Sequence, residues 1–164
     1  MGAGARRSGW PALRVKSLPA LPRLHAITDE RIARRPDLGE IVQLGQGSLT
    51  PEDARRLNPR WWIGKSVHDL REAEAAHAGG ADYLLVGPVF PTATHPDRAP
   101  LGSARLKEIA AVGLPVIVIG GVTPERIPAL LAEAAIHGVA AITALWHAAD
   151  PADAARRMLE ELNG

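Results

Sequence analysis

Residues 115–121 constrain the fold of this chain more than any other segment. They read Pro-Val-Ile-Val-Ile-Gly-Gly, so a run of β-branched residues precedes a pair of glycines. Such a run is typical of a strand that is buried on both faces, as in a parallel sheet. Thr123, Pro124 and Glu125 then predict a helix start, with an N-cap, a proline at the first helical position and an acidic first turn. The segment therefore predicts a βα unit whose exposed amides favour an anion such as phosphate, although a tight turn that binds nothing has the same pattern.

The rest of the chain repeats this alternation of short apolar runs and amphipathic helical patterns, which is the signature of parallel βα units. The predicted strands are residues 24–28, 41–44, 61–66, 83–86, 116–119 and 139–142. The predicted helices begin at Thr50–Pro51 or span residues 69–77, 103–111, 124–135 and 151–162. We therefore predict an α/β fold with a TIM-barrel-like parallel sheet, shortened to about six βα units from the eight of a closed barrel. The shortfall lies between the first two strands, where the chain has room for one short crossover.

Composition limits the domain organisation and the classes of partner. The 164 residues predict one domain, residues 23–164, preceded by a flexible leader of residues 1–22 that is rich in arginine, proline and glycine. The net charge of +1 leaves no basic footprint for nucleic acid or an anionic membrane surface. There is no cysteine, and no apolar run is long enough to span a bilayer. We expect a cytoplasmic protein.

Several stretches in order along the chain resemble one known family. They are residues 24–29, 63–68, 80–83, 87–94, 100–102, 119–124 and 149–151. From residue 24 onward the chain resembles the thiamine-phosphate synthase and thiazole tautomerase (TenI) superfamily of TIM barrels. On this alignment the six strands correspond to the first and the fourth to eighth of the family, so the second and third βα units are absent.

The absent units bear on catalysis. In the synthases they carry the Gln-x-Arg-x-Lys run that holds a pyrimidine pyrophosphate, and an Asn-Asp pair that helps to bind Mg²⁺. A further metal-binding aspartate follows the fourth strand of the family, where this chain has Ser48, and a lysine after the second threonine of Pro-Thr-x-Thr is His95 here. Displacement of pyrophosphate needs concentrated positive charge. The resemblance therefore implies that the Mg²⁺ ligands are missing and that this chain has no cofactor.

The resemblance also implies a site for a thiazole phosphate at the loops after the last two strands, the usual phosphate position of TIM barrels. In the family these loops hold the phosphate largely through backbone amides, and nearby hydroxyls face the ligand. The residues at matching positions are Gly120, Gly121, Ile142 and Thr143 in the loops, with Ser66, Thr92 and Thr94 facing the ligand.

The tautomerase arm of the family is the competing interpretation, because it also works without the metal aspartate. It isomerises a thiazole carboxylate phosphate, which needs a general acid–base group. The histidine that serves this role in the family corresponds to Pro88 here, so His95 or His68 would have to replace it. We expect His68 to cap the following helix, which leaves His95 as the candidate catalytic residue.

Three interpretations of function follow. The first is a member of this superfamily in thiamin biosynthesis that binds a thiazole phosphate, with synthase-like transferase or tautomerase-like isomerase activity left open. The second is a non-catalytic truncated paralogue that binds a phosphorylated ligand or a full-length partner. The third is another phosphate-binding barrel enzyme, such as a sugar-phosphate isomerase, against which the Pro91–Thr94 run argues.

The missing units also predict two open edge strands. The first and second strands could pair and close a narrower barrel, or the sheet could stay open. Two chains could also complete one another across the gap, and we favour such a homodimer.

Overall fold

The computed structural model describes residues 21, 23–26, 41–92 and 98–164. In this part the chain forms one parallel sheet with helices packed against it. The strands are β1 (Leu24–Ala26), β2 (Ile41–Leu44), β3 (Trp62–Val67), β4 (Tyr83–Val86), β5 (Val116–Ile119) and β6 (Gly138–Ala141). Each of them overlaps a predicted strand.

The order of the strands identifies the architecture. Each strand from β2 to β6 pairs in parallel with its neighbour in sequence, and β6 also pairs with β1. The resulting order, β1-β6-β5-β4-β3-β2, is that of a barrel ring opened between β1 and β2. The predicted TIM-barrel-like sheet of six strands is therefore confirmed. Closure by pairing of β1 with β2 is not found among the described residues.

Local capping signals explain where most helices begin. The helices are α1 (Pro51–Leu57), α2 (Leu70–Ala78), α3 (Ser103–Ala110), α4 (Ile127–Glu133), α5 (Thr143–Trp146) and α6 (Pro151–Asn163). Thr50, Asp69 and Asp150 each accept a hydrogen bond from a backbone amide of the first turn that follows. The expected helix starts at Thr50 and near residue 151 are confirmed.

The predicted single helix over residues 124–135 is wrong. The chain forms a 3₁₀ turn at Pro124–Arg126 and then α4. Pro128 has no N–H to donate to the carbonyl of Pro124, as an α-helix starting there would require. Ile127 donates to that carbonyl instead, in the tighter 3₁₀ pattern.

Side chains alternate between the two faces of the sheet, as strand geometry requires. In β4, Leu84 and Val86 pack in the large cluster that includes helix residues such as Met158, whereas Tyr83 and Leu85 pack on the opposite, inner face. The neighbouring indoles of Trp61 and Trp62 are divided in the same way: Trp62 joins the inner cluster and Trp61 packs beside α1.

The predicted leader lies almost entirely outside the described residues. Leu21 is described and buried, and it packs in the inner cluster with Tyr83 and Ile117. Its carbonyl accepts a hydrogen bond from Nε2 of His137 at 2.8 Å. In the described part of the chain, no helix has both the length and the apolar character needed to cross a bilayer.

Candidate functional site

A cavity of about 500 Å³ opens at the carboxyl ends of strands β2 to β6. Its wall is built by the residues that end or follow each of these strands, including Gly45 after β2, Ser66 in β3, Gly87 after β4, Gly120 after β5 and Ile142 after β6. Ligands of TIM barrels bind at this end of the strands, because the loops there vary while the sheet holds them in place.

The residues implied by the family resemblance meet in this cavity. Its wall includes Ser66, Thr92, Gly120, Gly121, Ile142 and Thr143. Thr94 and the candidate catalytic residue His95 lie outside the described residues. The substrate-binding and catalytic roles remain predictions.

Both glycines after β5 are required by geometry. Gly120 has φ of 96°, and a Cβ there would lie 2.6 Å from Cβ of Pro88. Gly121 has φ of 63°, and a Cβ there would lie 2.6 Å from the carbonyl oxygen of Pro91. Any other residue would be strained and would collide with the loop after β4.

Backbone hydrogen bonds hold that loop in place. The amide of Val89 donates to the carbonyl of Ile119 at 3.0 Å, and the amide of Phe90 donates to the carbonyl of Gly120 at 3.1 Å. The two loops therefore form one wall of the cavity.

Several backbone amides at this end of the sheet have no partner in the described part of the chain. Among the residues that the structure describes, none accepts a hydrogen bond from the amides of Gly121, Val122, Thr143 or Ala144. The same four residues line the cavity. Backbone N–H groups that are not paired within the protein need water or a ligand as acceptor.

Arg126 adds positive charge beside these amides. Its Nη1 donates to the carbonyl of Gly121 at 2.6 Å, and its guanidinium carbon lies 4.7 Å from the centroid of the Phe90 ring. The adjacent Glu125 is engaged elsewhere, with Arg157 donating to its carboxylate at 2.6 Å. Hydrogen bonds from its own backbone amide and the Thr123 side chain, together with Arg157, hold the pKa of Glu125 below its usual value.

A second cluster stands on the side of the cavity formed by the loops after β2 and β3. Arg98 donates to Nε2 of His68 at 2.9 Å and to Oε1 of Gln46 at 3.2 Å. Nδ1 of His68 contacts the carbonyl of Gly87. A carbonyl can only accept and a guanidinium can only donate, so His68 must be the neutral tautomer that carries its proton on Nδ1.

His68 does not cap the following helix, which corrects the sequence-based expectation. Asp69 is the N-cap of α2, and its carboxylate accepts from the amide of Glu72 at 2.8 Å. Glu72 in turn accepts from the backbone amide of His68 at 2.7 Å. The His68 ring is thus directed to Gly87 and Arg98.

Ser66 is positioned by the neighbouring strand. Its hydroxyl accepts a hydrogen bond from Nε2 of Gln43 in β2 at 3.0 Å. The hydroxyl proton of Ser66 is therefore available to an acceptor in the cavity.

The charges of the cavity wall favour an anion. Arg98 and Arg126 line it, and none of its described lining residues is Asp or Glu. Each of the two guanidiniums contacts only neutral acceptors in the described part of the chain. The Glu72 carboxylate lies behind the Arg98 side, where it accepts hydrogen bonds from Gln46 and His68, but it does not line the cavity. With two cations and no carboxylate among its described lining residues, the cavity wall is electropositive.

The described residues do not fit the Mg²⁺ ion that the family resemblance implies. In the described ranges, no group of three or more His, Cys, Asp or Glu side chains is arranged to hold a metal ion. Ser48, at the position of a family metal ligand, donates its hydroxyl to the carbonyl of Gly45 at 2.8 Å.

The sequence analysis missed Arg98, Arg126 and Gln46 as residues of the cavity. All three lie in segments that follow strands at their carboxyl ends, so a search of these loops for cationic and amide side chains would have found them. The contacts of His68 depend on Gly87 and Arg98, which are distant in sequence, and no local pattern indicates them.

Comparisons with known proteins agree on one family. The family model described as thiamine monophosphate synthase matches residues 31–145. The thiamine-phosphate synthase of Mycolicibacterium gilvum is 38% identical over 137 residues, which are 82% of this chain and 57% of that protein. The thiamine-phosphate synthase of Pyrococcus abyssi is 40% identical over 127 residues, 75% of this chain and 61% of the relative.

A solved structure supports the same relationship. The thiamine phosphate pyrophosphorylase from Pyrococcus furiosus superimposes with a TM-score of 0.69 at 34% identity, covering 76% of this chain and 59% of that one. The chain thus spans less than two thirds of the length of each of these three relatives.

Proposed function

This chain belongs to the thiamine monophosphate synthase family, and we propose that it binds the phosphate group of a thiazole phosphate at the loops after β5 and β6. The observation that carries the proposal is a set of amides, at Gly121, Val122, Thr143 and Ala144, that find no acceptor among the described residues and lie in an electropositive cavity. A phosphate dianion supplies the acceptors that these amides lack, and hydrogen bonds to a charged acceptor are stronger than neutral ones. The family relationship supports a role for the chain in thiamin biosynthesis.

The proposal is limited to binding. The synthase reaction develops charge on pyrophosphate, and the described residues offer no carboxylate cluster for the metal that would stabilise it. Pro88 stands where the tautomerases have their histidine, and both ring nitrogens of His68 are engaged by Gly87 and Arg98. Turnover of a pyrimidine pyrophosphate is expected to be negligible with or without Mg²⁺, and robust turnover would contradict this reading.

The second candidate is a non-catalytic paralogue that associates through its open sheet. Two exposed leucines in the βα unit of this edge strand favour it: Leu49, in the loop after β2, is 48% exposed and Leu57, at the end of α1, is 67% exposed. In a closed barrel the next βα unit would pack beside this edge. We propose that a second copy of the chain covers it.

Isothermal titration with thiazole phosphate tests the binding site. Gly121→Asp places a carboxylate beside the unpaired amides and should abolish binding. Gly113→Asp is the matched control: Gly113 also has positive φ, at 96°, but has no heavy atom within 4 Å of its added Cβ. Unchanged affinity in a folded Gly121→Asp variant would refute the assigned site.

A second pair of variants avoids backbone strain. Thr143 is exposed, lines the cavity and has no positive φ. Thr143→Glu introduces a negative charge next to the proposed phosphate, whereas Thr143→Gln introduces a neutral side chain of the same size. Thr143→Glu should lose the binding of thiazole phosphate, and Thr143→Gln should largely keep it. An equal loss of affinity in both variants would indicate a steric effect.

A further inference from the structure

We propose that Arg126 binds the phosphate directly, as a side-chain clasp that this chain adds to the backbone amides of the cavity. The inference rests on the proposed function, because Arg126 would bind the same phosphate group. It assigns a binding role to a residue that neither the family resemblance nor the glycine loop indicates.

The position of Arg126 is fixed from two sides. Its Nη1 donates to the carbonyl of Gly121 at 2.6 Å, and Phe90 lies under its guanidinium, 4.7 Å from ring centroid to guanidinium carbon. Phe90 is itself fixed by the hydrogen bond of its amide to the carbonyl of Gly120, the residue after β5. A side chain that is already ordered loses little further conformational entropy when a ligand binds.

The remaining donors suit an oxyanion. A guanidinium has five N–H groups in one plane, and one of them is used on Gly121. No other described residue accepts from the guanidinium, so its remaining N–H groups are left for a ligand. In-plane donors of arginine are the ones that bind phosphate oxygens in pairs.

The charge of Arg126 is not neutralised by its surroundings. Glu125, its neighbour in sequence, is turned to Arg157 on α6, with the two side chains 2.6 Å apart. Within the described residues Arg126 forms no ion pair. The turn at Pro124–Arg126 therefore separates the two charges, the negative one toward α6 and the positive one toward the cavity.

The competing role for Arg126 is structural, as a brace for Gly121 and Phe90. A brace would support every ligand of the cavity equally, whether or not the ligand carries phosphate. A clasp would support only phosphorylated ligands, and its effect would weaken with added salt.

Isothermal titration of the full chain with three probes separates these roles: thiazole phosphate, the same thiazole alcohol without phosphate, and inorganic phosphate. Arg126→Met should lower the affinity for both phosphate-bearing probes by roughly 10-fold to 100-fold and leave that for the alcohol unchanged. Arg105→Met, an exposed residue of α3 outside the cavity, is the control and should change none of them.

The outcomes are distinct. If Arg126→Met loses equal affinity for thiazole phosphate and the alcohol, or loses none for phosphate, the clasp is overturned. The Gly121→Asp variant still tests the site itself in that case. Failure of the wild-type protein to bind either phosphate probe would defeat the proposed function and the clasp together. If Arg126→Met does not fold, Arg126→Lys replaces it, because lysine keeps the charge and the aliphatic part of the side chain. An affinity for phosphate that changes neither in Arg126→Lys nor with added salt would also overturn the clasp.

Discussion

The phenol ring of Tyr83 lies against the bare α-carbon of Gly64 on the inner face of the sheet. A Cβ built on Gly64 would lie 2.1 Å from Cζ of Tyr83. Gly64 in β3 and Tyr83 in β4 are register partners, so the Tyr83 ring lies directly over Gly64. Because Gly64 has no side chain, β3 leaves room on the inner face for the ring of Tyr83.

Gly64→Ala should destabilise the protein for this reason. The added methyl group must displace the buried ring, and we expect the free energy of unfolding to fall by about 1–3 kcal/mol. Denaturant unfolding measures the change. Gly47→Ala is the control, because no heavy atom lies within 4 Å of a Cβ at Gly47; similar losses in both variants would show that the ring is not the cause.

Two neighbouring arginines of α1 should differ in their contribution to stability. Arg55 donates to the carbonyl of Trp61 at 2.6 Å and to the carboxylate of Asp82 at 2.5 Å, so it joins α1 to the segments before β3 and β4. Within the described ranges, Arg56 pairs only with exposed carboxylates of its own helix. Arg55→Ala should lower the free energy of unfolding by about 1–3 kcal/mol, and Arg56→Ala by less than about 0.5 kcal/mol. Thermal and denaturant unfolding of the two variants test this difference, which a reversed order would contradict.

Stability should fall at high pH because of Tyr83. Burial, and next the negative charge of Asp82, raise its pKa from 10.0 to about 12. Below the lower value both the folded and the unfolded chain hold the proton. Between the two values only the unfolded chain releases it, so the free energy of unfolding should decrease as pH rises, by about 2–3 kcal/mol at most.

The titration of Tyr83 can be followed directly. It is the sole tyrosine of the chain, so phenolate absorbance reports this group alone. The native protein should titrate at higher pH than the denatured one, and Tyr83→Phe should remove both the signal and its share of the stability loss. Identical titration curves for the two states would contradict the burial argument.

His68 and Arg98 should be energetically coupled. Their hydrogen bond of 2.9 Å requires the neutral His68 ring with its proton on Nδ1. In a double-mutant cycle of His68→Ala and Arg98→Ala, we expect a coupling of about 0.5–3 kcal/mol in the free energy of unfolding. NMR of the imidazole nitrogens should find the Nδ1-protonated tautomer, and additive mutational effects with the other tautomer would argue against the contact.

The proposed association through the β2 side of the sheet predicts a change of oligomeric state. Leu57→Lys places a charge on the most exposed leucine of this side and should shift a dimer toward the monomer in analytical ultracentrifugation. Leu159→Lys on α6, where the leucine is 40% exposed, is the control. A wild-type monomer that binds no apolar dye would contradict the proposal.

Local sequence predicted much of the fold. The β-branched run at residues 116–119 indicated β5, and Thr50 indicated the start of α1, because these signals depend on neighbours in sequence. The predicted helix over residues 124–135 failed because Pro128, within it, removes one hydrogen bond. The four-residue α5 is too short to show helical periodicity.

The sequence by itself determined the six parallel strands, the position of the shortfall between the first two of them, and the glycine pair after β5. These follow from periodicity, β-branching and the backbone freedom of glycine, which act over a few residues. Only the tertiary structure decided that Arg98 and Arg126 face one cavity and that His68 holds Arg98 instead of capping α2. Those contacts join loops far apart in the chain, and a parallel sheet brings such loops together only once its strands have paired.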